Sequence, residues 1–293
     1  MNEYIEKKTE ILEKVDYVGA WKSENKNTIK NEDCLRTMCD MPEELIDLTI
    51  TSPPYSDLRS YEGYQFNFEN IAESLYRVTK PGGVIVWVVG DSVIDGGESG
   101  ISFRQALYFQ EVGFRIHDTM IYEKNGTSFP ARRDGNRYSQ IFEYMFVFSK
   151  GKPKTATLRC DKENRWAGYT SFGKSKIRTK EGKLIERDMK PVPKYSPRNN
   201  IWRYNTGKNF STKDNIAFEH PAIFPEKLVQ DHLISWTVKG DLVYDCFMGS
   251  GTVAKMCILN DRFYIGSEIS DKYVKLAEER IKPYKEQLKL VLD

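Results

Sequence analysis

The chain has 293 residues, 40% of them hydrophobic and 29% charged, with a formal net charge of +2 and a mean hydropathy of −0.58. No stretch approaches the ~20 apolar residues of a membrane span, and the first eighteen residues are charged throughout with no signal-peptide core, so neither a membrane protein nor a secreted one is expected. Five cysteines at irregular spacing, without a CxxC pair, and only three histidines point to reduced thiols in a cytoplasmic protein and to no metal site.

Residues 1–28 read as a polar, helical lead-in. "TIKNEDCLRTMCDMPEELIDLTITSPPY" then predicts a short strand, a helix and a second strand, "DLTIT". In "NFENIAESLYRVTKPGGVIVWVVGD" a helix closed by Pro-Gly-Gly leads into an apolar strand over 84–89. A helix over "ISFRQALYFQEVGF" and strands over "RIHDTMIYEK" and "QIFEYMFVFSK" complete a block at 29–150. The pattern resumes in a block at 216–293 with a helix in "FPEKLVQDHLISWTV", a strand in "DLVYDCF", a glycine loop opening a helix in "GSGTVAKMCILN", a strand in "RFYIGSEIS" and a closing helix. Strands alternating with helices, several of them continuous apolar runs of the kind buried on both faces, predict an α/β fold with a doubly wound, mostly parallel sheet.

Between these blocks the periodicity lapses, and residues 151–215 are expected to form an insertion. That window carries 17 Lys/Arg against 6 Asp/Glu, a local net of +11, so the rest of the chain sums to −9. A solvated loop and a polyanion-binding face both fit the charge alone. The interleaved Trp166, Tyr169, Phe172, Tyr195, Trp202 and Tyr204 favour nucleic acid, because rings pack against sugars and bases. Lys174, Lys176, Arg178 and Lys180 are the expected phosphate contacts, and Arg198 and Arg203 the candidate base readers.

Two strand ends carry chemistry. In "DLVYDCFMGSGTVAKM" a strand feeds a loop whose Gly249 and Gly251 let backbone approach a ligand at a helix start. About twenty residues beyond Asp245 the next strand ends in Glu268, where nucleotide-type folds hold a ribose diol. At the other strand end, "TSPPY", Pro53 and Pro54 remove two N–H donors and fix φ, so the carbonyls there point in set directions. Either motif alone is weak: a G-x-G is often only a tight turn, and S-P-P-Y often only a rigid one.

Together, Ser52-Pro53-Pro54-Tyr55 and Phe247-Met248-Gly249-Ser250-Gly251 resemble the signature of the S-adenosylmethionine-dependent DNA amino-methyltransferases of bacterial and phage restriction-modification. The order (catalytic motif, basic middle, cofactor loop) is similar to that of the β class, with its circularly permuted Rossmann-like methyltransferase fold. "LYRVTKPGGVIVWVVGD", "NNIWRY", "EHPAIFPEKL" and "FYIGSEISDKYVKLAEERI" extend the resemblance over about 29–282, the basic middle excepted. It implies S-adenosyl-L-methionine as cofactor and double-stranded DNA as partner, and it admits a cognate restriction endonuclease acting on the same site. At matching positions it makes Ser52, Pro53, Pro54 and Tyr55 catalytic. Asp245, Phe247, Gly249, Gly251 and Thr252 would shape the pocket around the methionine end, with Glu268 on the ribose, Asp33 on the adenine and Phe224 closing the pocket. Cys246 departs from the proline most relatives carry, which bears on loop stiffness. His220 and His232 are expected to be structural.

Serine at the first motif position is typical of relatives that methylate cytosine N4, and adenine N6 is the alternative target. Protein-glutamine methyltransferases solve the same chemistry with Asn-Pro-Pro-Tyr, but usually place the cofactor loop first and lack the basic insertion.

Overall fold

The computed structural model describes residues 17–54, 66–126, 138–170, 176–186 and 190–292. The chain divides into two units: Met1–Thr157 with Asn200–Asp293, and Leu158–Asn199.

The larger unit is built on one eight-stranded sheet of β1 (Thr28–Lys30), β2 (Ile46–Thr51), β3 (Thr79–Val89), β4 (Arg115–Lys124), β5 (Phe142–Ser149), β6 (Ile201–Tyr204), β7 (Leu242–Asp245) and β8 (Phe263–Ser267). Their order is β1-β8-β7-β2-β3-β5-β4-β6. Every pairing is parallel except those of β5, which runs antiparallel to both β3 and β4. The central strands β2, β3, β7 and β8 are apolar because both faces are covered. Ile85, Trp87 and Val89 point into a core shared with helices α1 (Cys34–Asp40), α2 (Phe68–Val78) and α3 (Ile101–Val112). Val84, Val86 and Val88 point the other way, toward α4 (Glu226–Trp236), α5 (Thr252–Leu259) and α6 (Asp271–Leu292). This alternation along one strand is the period-2 pleat at work. Helix α2 shows the matching helical logic, burying Ile71, Ala72, Leu75 and Val78 along one stripe.

From β2 the chain winds through α2 to β3 on one side, whereas from β7 it winds through α5 to β8 on the other. The winding therefore reverses between β2 and β7, which pair directly through Leu48 with Val243 and Thr49 with Tyr244. The carboxyl ends of two adjacent strands at such a reversal flank a natural crevice.

Two expectations need correction. The helix before Pro81 ends at Val78, and Pro81-Gly82-Gly83 already belong to β3. The segment 151–215 is not one inserted region: its residues 201–204 are strand β6, parallel to β4 in the main sheet. There Trp202 and Tyr204 are core residues, 7% and 6% exposed, and the Tyr204 hydroxyl donates to buried Asp231 at 3.0 Å. A four-residue strand with alternating exposed and buried positions is too short to register as a period.

The smaller unit contains two antiparallel ribbons, Lys162–Glu163 with Tyr195–Ser196 and Lys176–Arg178 with Leu184–Glu186. Its 42 residues hold twelve Lys/Arg against five Asp/Glu, so much of the basic excess lies in it. Trp166, Tyr169 and Tyr195 are exposed on this unit.

Candidate active site

Strand β2 ends at Thr51 and passes into Ser52-Pro53-Pro54. Pro53 is buried, while Ser52 and Pro54 are half-buried on the wall of a cleft of about 600 Å³. Tyr55 lies outside the described residues. The end of β7 forms the adjoining wall. Asp245, 5% exposed, accepts hydrogen bonds from Thr51 Oγ1 at 2.7 Å and from the Phe247 N–H at 3.1 Å. One carboxylate thus ties the two strand ends together.

Burial pushes the Asp245 carboxyl up to about 7, against the bonds from Thr51 and Phe247, and the charge of Glu268 adds to the rise. At the end of β8, Glu268 accepts from the Gly249 N–H and the Ser270 N–H, both at 2.9 Å. It is raised as well, by burial, and those backbone donors work against the rise. A pair of mostly buried carboxylates sharing one cleft is the arrangement expected where a cationic ligand binds.

Between them runs the glycine loop. Gly249 has φ +50° and Gly251 φ +75°, the left-handed region that a side chain occupies only at a cost. A Cβ on Gly249 would stand 3.0 Å from the His220 ring, and one on Gly251 would stand 2.9 Å from Ala277 Cβ. The backbone is therefore in close contact with its surroundings at both positions, and Gly251 caps the N-terminus of α5. Phe247 packs against Phe66 and Trp87, ring centroids 5.8 and 6.4 Å away. Phe224, partly buried on the core, lines the same cleft, as do Asp33 and Thr252. The expected cofactor residues Asp33, Phe224, Asp245, Phe247, Gly249, Thr252 and Glu268 thus line one cleft together with Ser52, Pro53 and Pro54, while Gly251 stands at its edge behind the loop.

Asp33 has an additional role that the motifs did not suggest. Its Oδ1 accepts from the Leu35 N–H at 2.7 Å and so caps α1. The "D-C-L" at a helix start carried this signal. His220 lines the cleft, with its Nδ1 2.6 Å from the Ala222 carbonyl and its ring edge-on to Tyr273. His232 is fully buried on α4, accepts from the Trp236 indole at 3.2 Å, and is held down to about 3 by burial. Beyond Ser52 the cleft continues past Tyr122, Gln140 and the Lys124–Glu143 ion pair.

The two candidate base readers are engaged in ion pairs. Arg198 grips Asp161 in a forked pair inside the smaller unit, with Nε 2.6 Å from Oδ1. Arg203 belongs to strand β6 of the larger unit and donates to Glu123 at 2.7 Å. Lys176 starts a ribbon strand and Arg178 ends it; both are exposed, and Lys180 is exposed in the following turn. Lys174 lies outside the described residues. Among the described residues, no helix is long and apolar enough to cross a membrane.

The chain is 58% identical over 240 residues to the orphan methyltransferase M.BamHII of Bacillus amyloliquefaciens, covering 82% of this chain and 89% of that one. It is 26% identical over 272 residues to the type II methyltransferase M.BglII of Bacillus subtilis, covering 88% and 70%. Among solved structures, the PvuII DNA methyltransferase, described as cytosine-N4-specific, superposes with a TM-score of 0.63 at 21% identity, over 88% of this chain and 90% of that one. TTHA0409 of Thermus thermophilus, complexed with S-adenosyl-L-methionine, superposes with a TM-score of 0.58 at 19% identity, over 87% and 93%. The profile of the DNA methylase family that covers N6 and N4 methyltransferases matches residues 46–279; by that match and by its identity to M.BamHII, the chain belongs to this family of DNA methyltransferases.

Proposed function

We propose that this protein methylates the exocyclic N4 amino group of cytosine at specific sites in duplex DNA, acting on a base swung out of the helix. The observation that carries the reading is the pairing of β2 with β7 at the reversal of the sheet, which sets Ser52-Pro53-Pro54 beside Asp245 and the glycine loop. The cofactor is S-adenosyl-L-methionine, which supplies an electrophilic methyl group. The cleft fits it: the buried Asp245 carboxylate suits its cationic end, and Phe224 and Phe247 offer apolar faces. Glu268 is assigned to the ribose. Asp33, with one oxygen committed to its helix cap, is assigned to the adenine through the other.

An amino group on a base is a poor nucleophile, because its lone pair is delocalised into the ring. The Ser52 hydroxyl and the Pro53 carbonyl accept its two N–H bonds and turn its lone pair out of the ring plane. A proline pair suits this task, since it presents acceptors, contributes no competing donor and does not relax. Tyr55 is assigned to stack on the extruded base. Serine at the first motif position favours cytosine, and the cytosine-N4-specific PvuII enzyme shares the fold. Mass spectrometry of nucleosides from DNA treated with the pure protein is expected to show N4-methylcytosine. Finding N6-methyladenine alone would sink the assignment.

Asp245 makes cofactor binding pH-dependent. With its carboxyl raised to about 7, it is mostly neutral at pH 6 and mostly charged at pH 7.5, and only the charged form attracts a cation. Affinity for S-adenosylmethionine is therefore expected to rise severalfold over that interval, below the titration of the ligand's own amine. Calorimetry at the two pH values checks it, and Asp245→Asn should flatten the dependence.

The basic unit Leu158–Asn199 is assigned to the DNA backbone. Neutralising Lys174, Lys176, Arg178 and Lys180 together should lower the slope of log K against log salt by about one for each phosphate left without its cation. A wild-type slope in that variant would move the clamp elsewhere. For Arg198 or Arg203 to read a base, each has to exchange its carboxylate partner for the base edge.

A further inference from the structure

Behind the glycine loop lies a group of four charges, two buried cations and two partly buried carboxylates, that the chemistry above does not use. The Arg280 side chain on α6 has no exposure at all. Its Nε donates to Asp214 Oδ2 at 2.8 Å and its Nη2 to Glu226 Oε1 at 2.8 Å and Thr212 Oγ1 at 3.2 Å. Its Nη1 turns the other way, donating to the Ser250 carbonyl at 2.9 Å, Ser250 Oγ at 3.1 Å and Thr252 Oγ1 at 2.9 Å. Lys255, 5% exposed, completes the group with bonds of 2.8 Å to Asp214 and 2.7 Å to Glu226. Two cations face two anions. Although burial opposes it, hydrogen bonds from Arg280, Lys255 and Tyr284 hold Asp214 down to about 2, so Asp214 stays charged at any working pH.

The two halves of the guanidinium serve different walls of the cleft. Nη1 holds the loop after β7. Nε and Nη2 hold the segment from Thr212 to Glu226, which carries His220 and Phe224 into the cleft. The His220 ring stands against Gly249, so the same two walls also meet at the cleft itself. We propose that Arg280 is a positioning residue for the cofactor: it sets the spacing between the Ser250–Thr252 loop and the 212–226 segment, and through that spacing the affinity for S-adenosylmethionine. This rests on the cofactor assignment above. A planar fork with five donors can bridge two walls, whereas an ammonium group reaches one.

The test is steady-state kinetics with S-adenosylmethionine varied at saturating DNA, with calorimetric Kd values and melting curves on the same preparations. Arg280→Lys keeps the charge and loses the fork. It is expected to raise KM and Kd for S-adenosylmethionine by about tenfold or more while kcat stays within about threefold of wild type. Asp214→Asn, which changes no cleft-lining residue, should move KM the same way by less, and it carries the test if Arg280→Lys does not fold. A purely structural role gives the opposite split, with kcat falling with the folded fraction and KM unchanged; that result overturns the proposal. If the wild type itself fails to bind S-adenosylmethionine, the cofactor assignment falls. If the wild type binds and both variants bind equally well, only the role of Arg280 falls.

Discussion

Replacing Ser52 by alanine is expected to lower kcat by about 10²–10³-fold, the range seen when one preorganised hydrogen-bonding group is removed from a polar reaction centre. The hydroxyl is assigned to an N–H that must be held while the amino group changes geometry, so its loss falls on the transition state and leaves cofactor binding alone. Folding should be little affected, since Ser52 lies at a half-buried strand end and the β2–β7 link runs through Thr51 and Asp245. Single-turnover methylation of duplex DNA, with a melting curve as control, measures the effect. A fall of less than threefold would remove Ser52 from the reaction.

Gly251→Ala should be the most damaging single change in the cofactor loop. At φ +75° an alanine costs about 1–2 kcal/mol in backbone strain, and its Cβ would be 2.9 Å from the Ala277 Cβ. A short side chain on a packed helix cannot rotate away, so either α6 or the loop must move. Loss of about 1–2 kcal/mol lowers the melting temperature by roughly 2–8 °C in a domain of this size, and displacement of the loop should abolish measurable S-adenosylmethionine binding. Gly249→Ala carries similar strain, but its neighbour is the far end of a histidine side chain, which can turn. Its melting temperature should fall less. Scanning calorimetry and ligand titration on the two variants make the comparison.

Much of the fold could be read from residue order because the central strands β2, β3, β7 and β8 are buried on both faces. Runs such as "VIVWVV" and "DLTIT" leave few alternatives once helices alternate with them, and the two motifs then locate themselves at strand ends. What escaped depended on partners far apart in the chain. Strand β6 is four residues long and is recognisable only by its pairing with β4. Arg198 and Arg203 read as candidate base readers in a basic stretch, yet each has a carboxylate partner, 37 and 80 residues away. Arg280 lay within a stretch already matched to the family, but nothing in "AEERIKPY" says that Asp214 and Glu226 meet it, 66 and 54 residues back. Periodicity reports which face of an element is buried; it carries no information about which ions share a cavity. Asp33 carries two signals at once: its Oδ1 caps α1 through the Leu35 N–H, and the ligand motif does not announce that second role.

On the proposed function, adjacent strand ends serve different ligands in one cleft, with β7 and β8 holding the cofactor and β2 holding the base. Calorimetric titration of S-adenosylmethionine into Glu268→Ala and Ser52→Ala, side by side with wild type, tests it most directly. Glu268→Ala loses a buried charged acceptor, worth about 1.5–3 kcal/mol, so its Kd should rise by about 10–150-fold while Ser52→Ala keeps the wild-type value. Equal weakening in both variants, or weakening confined to Ser52→Ala, would contradict the division.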